Sequence, residues 1–213
     1  MTELYMEDIK FIRENILTMN IEICGNILLL SNYKEMYKGT DFENIYDNYK
    51  LDRGILWYDI QSQTANSQDR MCNHDIFTKI MFHTHSYSSK FYPSKQDIVK
   101  YIFSKETQTN IIFTSLGIWD FKALSNDMYN IKKTDDEKYE RLKRRFMEII
   151  DKDLTKIYRN TYHSRLENIP ADKLEYVKLY LKNIFDTDMY NKTFKIQIKF
   201  TPWDEIQNHY TIF

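Results

Sequence analysis

The 213-residue chain is long enough for one domain, or for one domain with a small appendage. Hydrophobic residues make up 42% of it, and 17 Tyr and 13 Phe are more aromatic residues than a disordered chain would carry, so we expect a folded globular protein. The net charge of −1 gives no support to nucleic-acid binding, which usually requires a basic surface.

The first 125 residues alternate between apolar runs and polar connections. The pattern predicts, in chain order, an amphipathic helix over 3–19, buried strands over 21–30, 55–60 and 76–82, a loop over 61–75, a helix over 95–104, and strands over 109–115 and 117–124. The last two strands are expected to form a hairpin around Leu116 and Gly117. Gly25 and Gly117 lie inside strand-like runs, where glycine usually marks a bulge or a close approach of two backbones.

The rest of the chain is predicted to be largely helical. A stripe of apolar residues indicates an amphipathic helix over 135–160, and a second helix is expected over 171–186, after Pro170. The run TFKIQIKF alternates with period two, which predicts a final strand over 193–200. This order of helices and strands is typical of an α/β fold with a mixed sheet, and no glycine-rich phosphate-binding motif occurs in it.

His83 and His85 stand at the end of a predicted strand. Residues i and i+2 of a strand point to the same face, so the two imidazoles are placed to bind one metal ion side by side. Such a pair is weak evidence alone, because the five histidines of the chain also allow a chance pairing.

Ser94 and Asp97 open the helix that follows the histidines. Their spacing is that of a capping box, which explains both residues without any metal. Capping and metal binding are nevertheless compatible, because a carboxylate in the first helical turn is rigid and lies one loop away from His83 and His85. Two histidines and one aspartate would leave a tetrahedral Zn²⁺ with one open position for water.

Glu22 is the candidate for the general base that such a site requires. It is an acidic residue in an otherwise apolar strand, where a buried and unpaired carboxylate would be costly. The alternative is that Glu22 is simply an edge-facing residue at the start of the strand.

These motifs together resemble the JAMM motif of MPN-domain (JAB-type) zinc metalloproteases. The shared pattern is Glu-x-x-Gly in an apolar strand, His-x-His at a strand end and Ser-x-x-Asp at a helix start, and NIIFTSLGIWDFK over 110–122 resembles the strand pair that follows. The resemblance covers about residues 1–125 and the C-terminal strand. Two features depart from the family: Ser86 follows the second histidine where proline is common, and the loop to Asp97 is one residue longer.

The resemblance implies an MPN (JAB-type) mixed sheet flanked by helices. Residues 1–130 would form the catalytic core, residues 131–190 an added helical hairpin, and residues 191–213 a C-terminal strand that returns to the core. One Zn²⁺ per chain would be held by His83, His85 and Asp97, with metal-bound water as the nucleophile. Glu22 would be the general base, and Ser94 would donate a hydrogen bond to the oxyanion.

The substrates implied by the family are ubiquitin or ubiquitin-like conjugates, cleaved at their isopeptide bonds. Two other functions remain open at this point. One is a non-catalytic MPN scaffold that docks a protein partner through helices 135–186, and the other is a zinc amidase that acts on a small peptide.

The sequence indicates the location of the protein only indirectly, through the targeting, membrane and disulfide patterns that it lacks. Acidic residues among the first 20 are unlike a signal peptide, and the longest apolar stretch, around 27–30, is too short to cross a bilayer, so we expect no membrane binding. Cys24 and Cys72 form no disulfide framework, which favours a reducing cytoplasmic or nuclear compartment. The richness in Ile, Asn, Lys and Tyr is compatible with a large DNA virus as the source.

Overall fold

The computed structural model describes residues 2–19, 22–29, 50–51, 55–63, 80–87 and 89–212. The strands in these ranges are β1 Thr2–Tyr5, β2 Glu22–Leu29, β3 Lys50–Leu51, β4 Ile55–Gln63, β5 Ile80–Thr84, β6 Thr109–Phe113, β7 Gly117–Ala123, β8 Ile196–Pro202 and β9 His209–Ile212. The α-helices are α1 Met6–Phe11, α2 Lys95–Ile102, α3 Asp127–Thr134, α4 Asp136–Asn160 and α5 Leu174–Asn183. Short 3₁₀ and π turns connect several of them.

One mixed sheet organises the fold. Its strand order is β3-β4-β2-β5-β6-β7-β8, while β1 and β9 pair separately with each other. The pair β5–β6 is parallel and the other neighbours are antiparallel. Parallel strands require a crossover connection, and here that connection contains α2. The expected α/β fold with a mixed sheet flanked by helices is therefore confirmed.

Two apolar clusters lie on opposite faces of the sheet. In β6, Ile112 belongs to the larger cluster, whereas Ile111 and Phe113 belong to the smaller one, as the alternation of a strand requires. The larger cluster joins the sheet to α2, α4 and α5, and the smaller cluster joins it to the N-terminal helix and to β9.

Two glycines allow local geometry that other residues would not. At Gly25 the pairing of β2 with β4 shifts register between Cys24 and Asn26, which is a β-bulge. A Cβ at Gly117 would overlap the backbone of β8 at Thr201 and Pro202. Both glycines have the roles that their positions in strand-like runs predicted.

The N-terminal segment differs from the prediction of one helix over 3–19. Residues 2–5 form β1, which pairs with β9 in an antiparallel register from Thr2↔Ile212 to Tyr5↔His209. The partner strand is at the far end of the chain, so no local pattern marks the pairing. The predicted loop over 61–75 is wrong for residues 61–63, which continue β4 opposite the start of β2. The rest of that loop lies outside the described residues.

The two C-terminal helices are present, but their main contacts are not with each other. Helix α4 packs on α2 and α3, and α5 packs on β8. Side chains of both helices enter the larger cluster, among them Phe146 and Ile150 of α4 and Val177 and Leu181 of α5. The expected hairpin would pack the two helices mainly on each other. Instead, the apolar stripe of each helix is buried in the larger cluster, together with the sheet and α2. The division of the chain at residues 130 and 190 stays a prediction.

None of the described helices is a candidate for crossing a membrane. In the part of the chain that the structure describes, none of them combines the length and apolarity that a bilayer requires.

Candidate metal centre

The two histidines are placed by β5 and its parallel neighbour. Within β5, Phe82 points into the smaller cluster and His83 to the opposite face, because side chains alternate along a strand. His85 is the first residue after β5, and its backbone N–H donates to the carbonyl of Phe113 at 2.8 Å, which continues the strand pairing. The two imidazole rings lie with their centroids 5.2 Å apart.

The N-terminal cap of α2 holds Asp97 next to the two histidines. The Ser94 hydroxyl accepts a hydrogen bond from the backbone of Asp97 at 3.2 Å, and the Ser94 backbone donates to Asp97 Oδ2 at 2.7 Å. This is the predicted capping box. Asp97 Oδ1 lies 3.4 Å from His83 Nε2, and Oδ2 lies 3.5 Å from His85 Nε2. The structure therefore brings together the three predicted ligands.

The three side chains could hold a metal ion. Candidate ligand atoms, one from each residue, all lie within 4.8 Å of one another. Bond lengths of about 2.0–2.1 Å place neighbouring ligand atoms of a tetrahedral zinc about 3.4 Å apart, close to the two contacts above. Apart from the 3.4 Å contact with Asp97 Oδ1, the buried His83 Nε2 has no hydrogen-bond partner among the described residues. Because a buried polar atom without a partner is costly, a metal ion is a suitable partner for it.

Each histidine also has a partner at its other nitrogen. His85 Nδ1 lies 3.0 Å from the carbonyl of Lys90, and His83 Nδ1 lies 3.5 Å from the hydroxyl of Tyr101. An Nδ1–H that donates to these oxygens leaves Nε2 free to bind metal, and such outer partners fix ring orientation. The sequence analysis did not select Tyr101 for the site, although it lies one turn after Asp97 on α2, where i and i+4 share a face.

The pKa values of Asp97 and His85 are shifted from their usual values. Burial alone would raise the pKa of Asp97, but the charges and hydrogen bonds of His83 and His85 hold it well below its usual value. Burial alone would lower the pKa of His85, but Asp97, with a smaller contribution from the charge of Glu22, raises it. The negative charges at the site therefore favour a cation between the ligands.

A cleft of about 1080 Å³ adjoins this centre. Its lining includes His85 and both predicted catalytic residues, Glu22 and Ser94. Glu22 is the first residue of β2 and is exposed, so the cost of burial does not account for it. The roles of Glu22 and Ser94 in catalysis stay predictions, but both share a cleft with a metal ligand.

Cys24 is paired across the sheet with His83 and is 1% exposed. It is disulfide-bonded in the structure. The expectation that the cysteines form no disulfide is therefore wrong for Cys24, and the inference of a reducing compartment loses its support. Cys72 lies outside the described residues.

Comparisons of the chain with protein-family models, with curated proteins and with solved structures find no match. The resemblance to the JAMM motif therefore rests on the motif residues and their geometry.

Proposed function

We propose that the protein is a zinc-dependent isopeptidase of the JAMM type that hydrolyses ubiquitin or ubiquitin-like conjugates. The observation that supports it is the convergence of His83, His85 and Asp97 beside a cleft that Glu22 and Ser94 also line. A structural role would explain the capping box alone, but it would leave the buried His83 Nε2 with only its 3.4 Å contact to Asp97 Oδ1 among the described residues.

Each residue has a definite chemical task in this proposal. A bound Zn²⁺ supplies Lewis acidity, which polarises a carbonyl and makes water more acidic. The exposed carboxylate of Glu22 takes the proton of the attacking water and delivers it to the leaving amine. The Ser94 hydroxyl accepts from the Asp97 backbone, so its own proton is available for the oxyanion that develops.

The size of the cleft favours a chain-like substrate. Small-molecule sites commonly enclose about 300–1,000 Å³, and this cleft of about 1080 Å³ is open to solvent and larger than that range. It therefore has room for several residues of an extended peptide. Helix α4 forms part of the wall, so the region predicted to dock a partner would contact the substrate.

The test combines zinc analysis with cleavage of ubiquitin chains by the purified protein, with and without a chelator. We expect one zinc per chain and cleavage that the chelator abolishes and zinc restores. Zinc binding with cleavage of short peptides but not of ubiquitin chains would replace the proposed substrate. A protein that binds no zinc would contradict the metal centre and leave the scaffold function as the better explanation.

A further inference from the structure

One wall of the cleft comes from a region in which the sequence analysis identified no site residue. The C-terminal part of α4 and the segment after it contribute Tyr158, His163 and Arg165 to the lining. Lys90, from the loop between His85 and Asp97, lines the same cleft. We refer to Lys90 and Arg165 as the cationic wall.

The cationic wall is connected to the metal centre through the backbone. The carbonyl of Lys90 lies 3.0 Å from His85 Nδ1, so the residue that orients one metal ligand also extends its ammonium group into the cleft. The next residue, Phe91, donates its backbone N–H to the carbonyl of Ser164 at 3.4 Å. The segment that bears His163 and Arg165 is thereby held against the loop of the metal ligands.

The segment that carries the wall has an unusual backbone. Tyr162, His163 and Ser164 have φ values of 52°, 61° and 69°, a left-handed conformation that costs energy in residues other than glycine. The bend stacks the His163 ring on Tyr158, with centroids 4.9 Å apart and planes at 27°. Strain of this kind persists where the surrounding structure holds it, and it is commonly found at functional sites.

The charges of the wall are poorly neutralised within the described residues. Lys90 Nζ lies 5.8 Å from the ring centroids of Tyr92 and Tyr158, and no carboxylate is within ion-pair distance of it there. Arg165 lies 3.7 Å from Glu167, but the side chains are 59% and 72% exposed, so the pair is weak.

The carboxylates that line the cleft do not cancel this charge. Asp151 is already paired with Lys95 at 2.7 Å. Glu22 carries one negative charge as the general base of our proposal, whereas Lys90 and Arg165 together carry two positive charges. A substrate group that enters between the metal centre and the cationic wall would therefore meet an excess of positive potential.

We propose that the cationic wall selects peptides or isopeptides that carry carboxylate side chains beside the scissile amide. This inference rests on the proposed hydrolase function and specifies its substrate class. The wall acts in recognition and not in the reaction itself, so its contribution is expected in KM more than in kcat.

The experiment uses the zinc-loaded full-length protein and three internally quenched peptides. The peptides share one sequence and carry Glu, Gln or Lys at the two positions that flank the scissile amide. We expect kcat/KM to be about 10-fold higher for the Glu peptide than for the Gln peptide, because two exposed ion pairs contribute a modest amount each. The preference should decrease as salt is added.

Two double variants test whether the cationic wall causes the preference for the Glu peptide. Lys90→Gln with Arg165→Gln should bring the Glu and Gln peptides to within about twofold of each other. Lys152→Gln with Arg159→Gln removes the same charge from exposed positions of α4 that do not line the cleft, and it should keep the preference. Equal rates for the three peptides, a preference for Lys, or a preference that survives in the first variant would overturn the inference.

Binding separates this inference from the proposed function. Fluorescence anisotropy with the same three peptides, labelled at one end, measures their affinity for the zinc-loaded Glu22→Gln protein without turnover. Tighter binding of the Glu peptide that is lost in the Lys90→Gln, Arg165→Gln background supports the wall even if the wild-type protein cleaves none of the peptides. Absence of cleavage would then count against the hydrolase alone, and equal affinities would count against the wall alone.

Discussion

The two faces of the sheet each bury an acidic side chain beside a tyrosine, and only one of them forms a candidate site. On the face of the smaller cluster, Asp120 is 0% exposed and its Oδ2 accepts from the hydroxyl of Tyr210 at 3.2 Å. On the face of the larger cluster, Asp97 lies between His83 and His85, with Tyr101 behind His83.

The difference shows what separates an enclosed carboxylate from one in a candidate metal centre. Asp120 lies in the middle of β7, where it is enclosed by the sheet and its neighbours. Asp97 is at the start of a helix, retains 19% of its side-chain exposure and adjoins a large cleft. Access to the cleft, two neighbouring imidazoles and outer hydrogen bonds therefore distinguish the site, rather than burial or charge alone.

The largest expected contrast is between two neighbouring residues of β5. Phe82→Ala removes a ring that is 2% exposed in the smaller cluster, so it should cost about 3–5 kcal/mol of unfolding free energy. His83→Ala removes one of three metal ligands, so it should lose zinc and all cleavage while it costs less stability in the metal-free protein. Urea denaturation in chelator and zinc analysis of both variants measure the contrast. Retention of tight zinc binding by His83→Ala would show that His83 is not a ligand.

The second contrast separates metal binding from proton transfer. Glu22→Gln should keep zinc and the fold, because Glu22 is exposed at the start of β2 and is not one of the converging ligands. Turnover should fall by about 10²–10⁴, toward the upper end because one group both removes and delivers the proton. Zinc content and conjugate cleavage are measured on the same sample. Wild-type turnover by Glu22→Gln would show that Glu22 is not the general base. Loss of zinc by this variant would show that Glu22 is a metal ligand.

The third contrast compares the two buried tyrosines. Tyr101 and Tyr210 are 3% and 4% exposed, and burial raises the pKa of each hydroxyl well above its usual value, so both stay neutral. Tyr101→Phe keeps the ring but removes the oxygen beside His83 Nδ1, which should weaken zinc binding about 10-fold. The effect should be at the low end of the usual range because the contact is long, at 3.5 Å.

Tyr210→Phe is the matched control for that measurement. It removes a hydroxyl bonded to Asp120 on the other face, so zinc affinity should not change. Competition with a chromophoric chelator gives the affinity, and the absorption spectrum of the cobalt-substituted protein reports the ligand geometry. Equal zinc affinities for the two variants would show that Tyr101 has a packing role only.

The metal ligands could be predicted from sequence because each depends on local geometry. His83 and His85 follow from the two-residue period of a strand, and Ser94 and Asp97 follow from helix capping. The prediction of Glu22 used its chemical type, and the structure places it in the cleft for a different reason, its exposed position at the start of β2.

The features that were missed depend on distant parts of the chain. Strand β1 depends on its pairing with β9, which is distant from it in the sequence. The cationic wall depends on three left-handed residues after α4, none of which is the glycine that would mark such a bend. Tyr101 packs in the larger cluster, and its additional contact with His83 requires knowledge of how α2 lies on β5.

The smallest expected effect concerns the ion pair that joins the two walls of the cleft. Lys95 at the start of α2 lies 2.7 Å from Asp151 of α4, with side chains 27% and 55% exposed. A double-mutant cycle with Lys95→Gln and Asp151→Asn should give a coupling of about 0.5 kcal/mol that decreases in high salt, because exposed pairs are weak and screened. The helix dipole reduces the gain further, since a cation at a helix N-terminus is unfavourable. In this view the larger cluster, through Phe146 and Ile150, positions α4 beside the metal centre. A coupling above about 2 kcal/mol would instead make the ion pair a main determinant of the cleft's width.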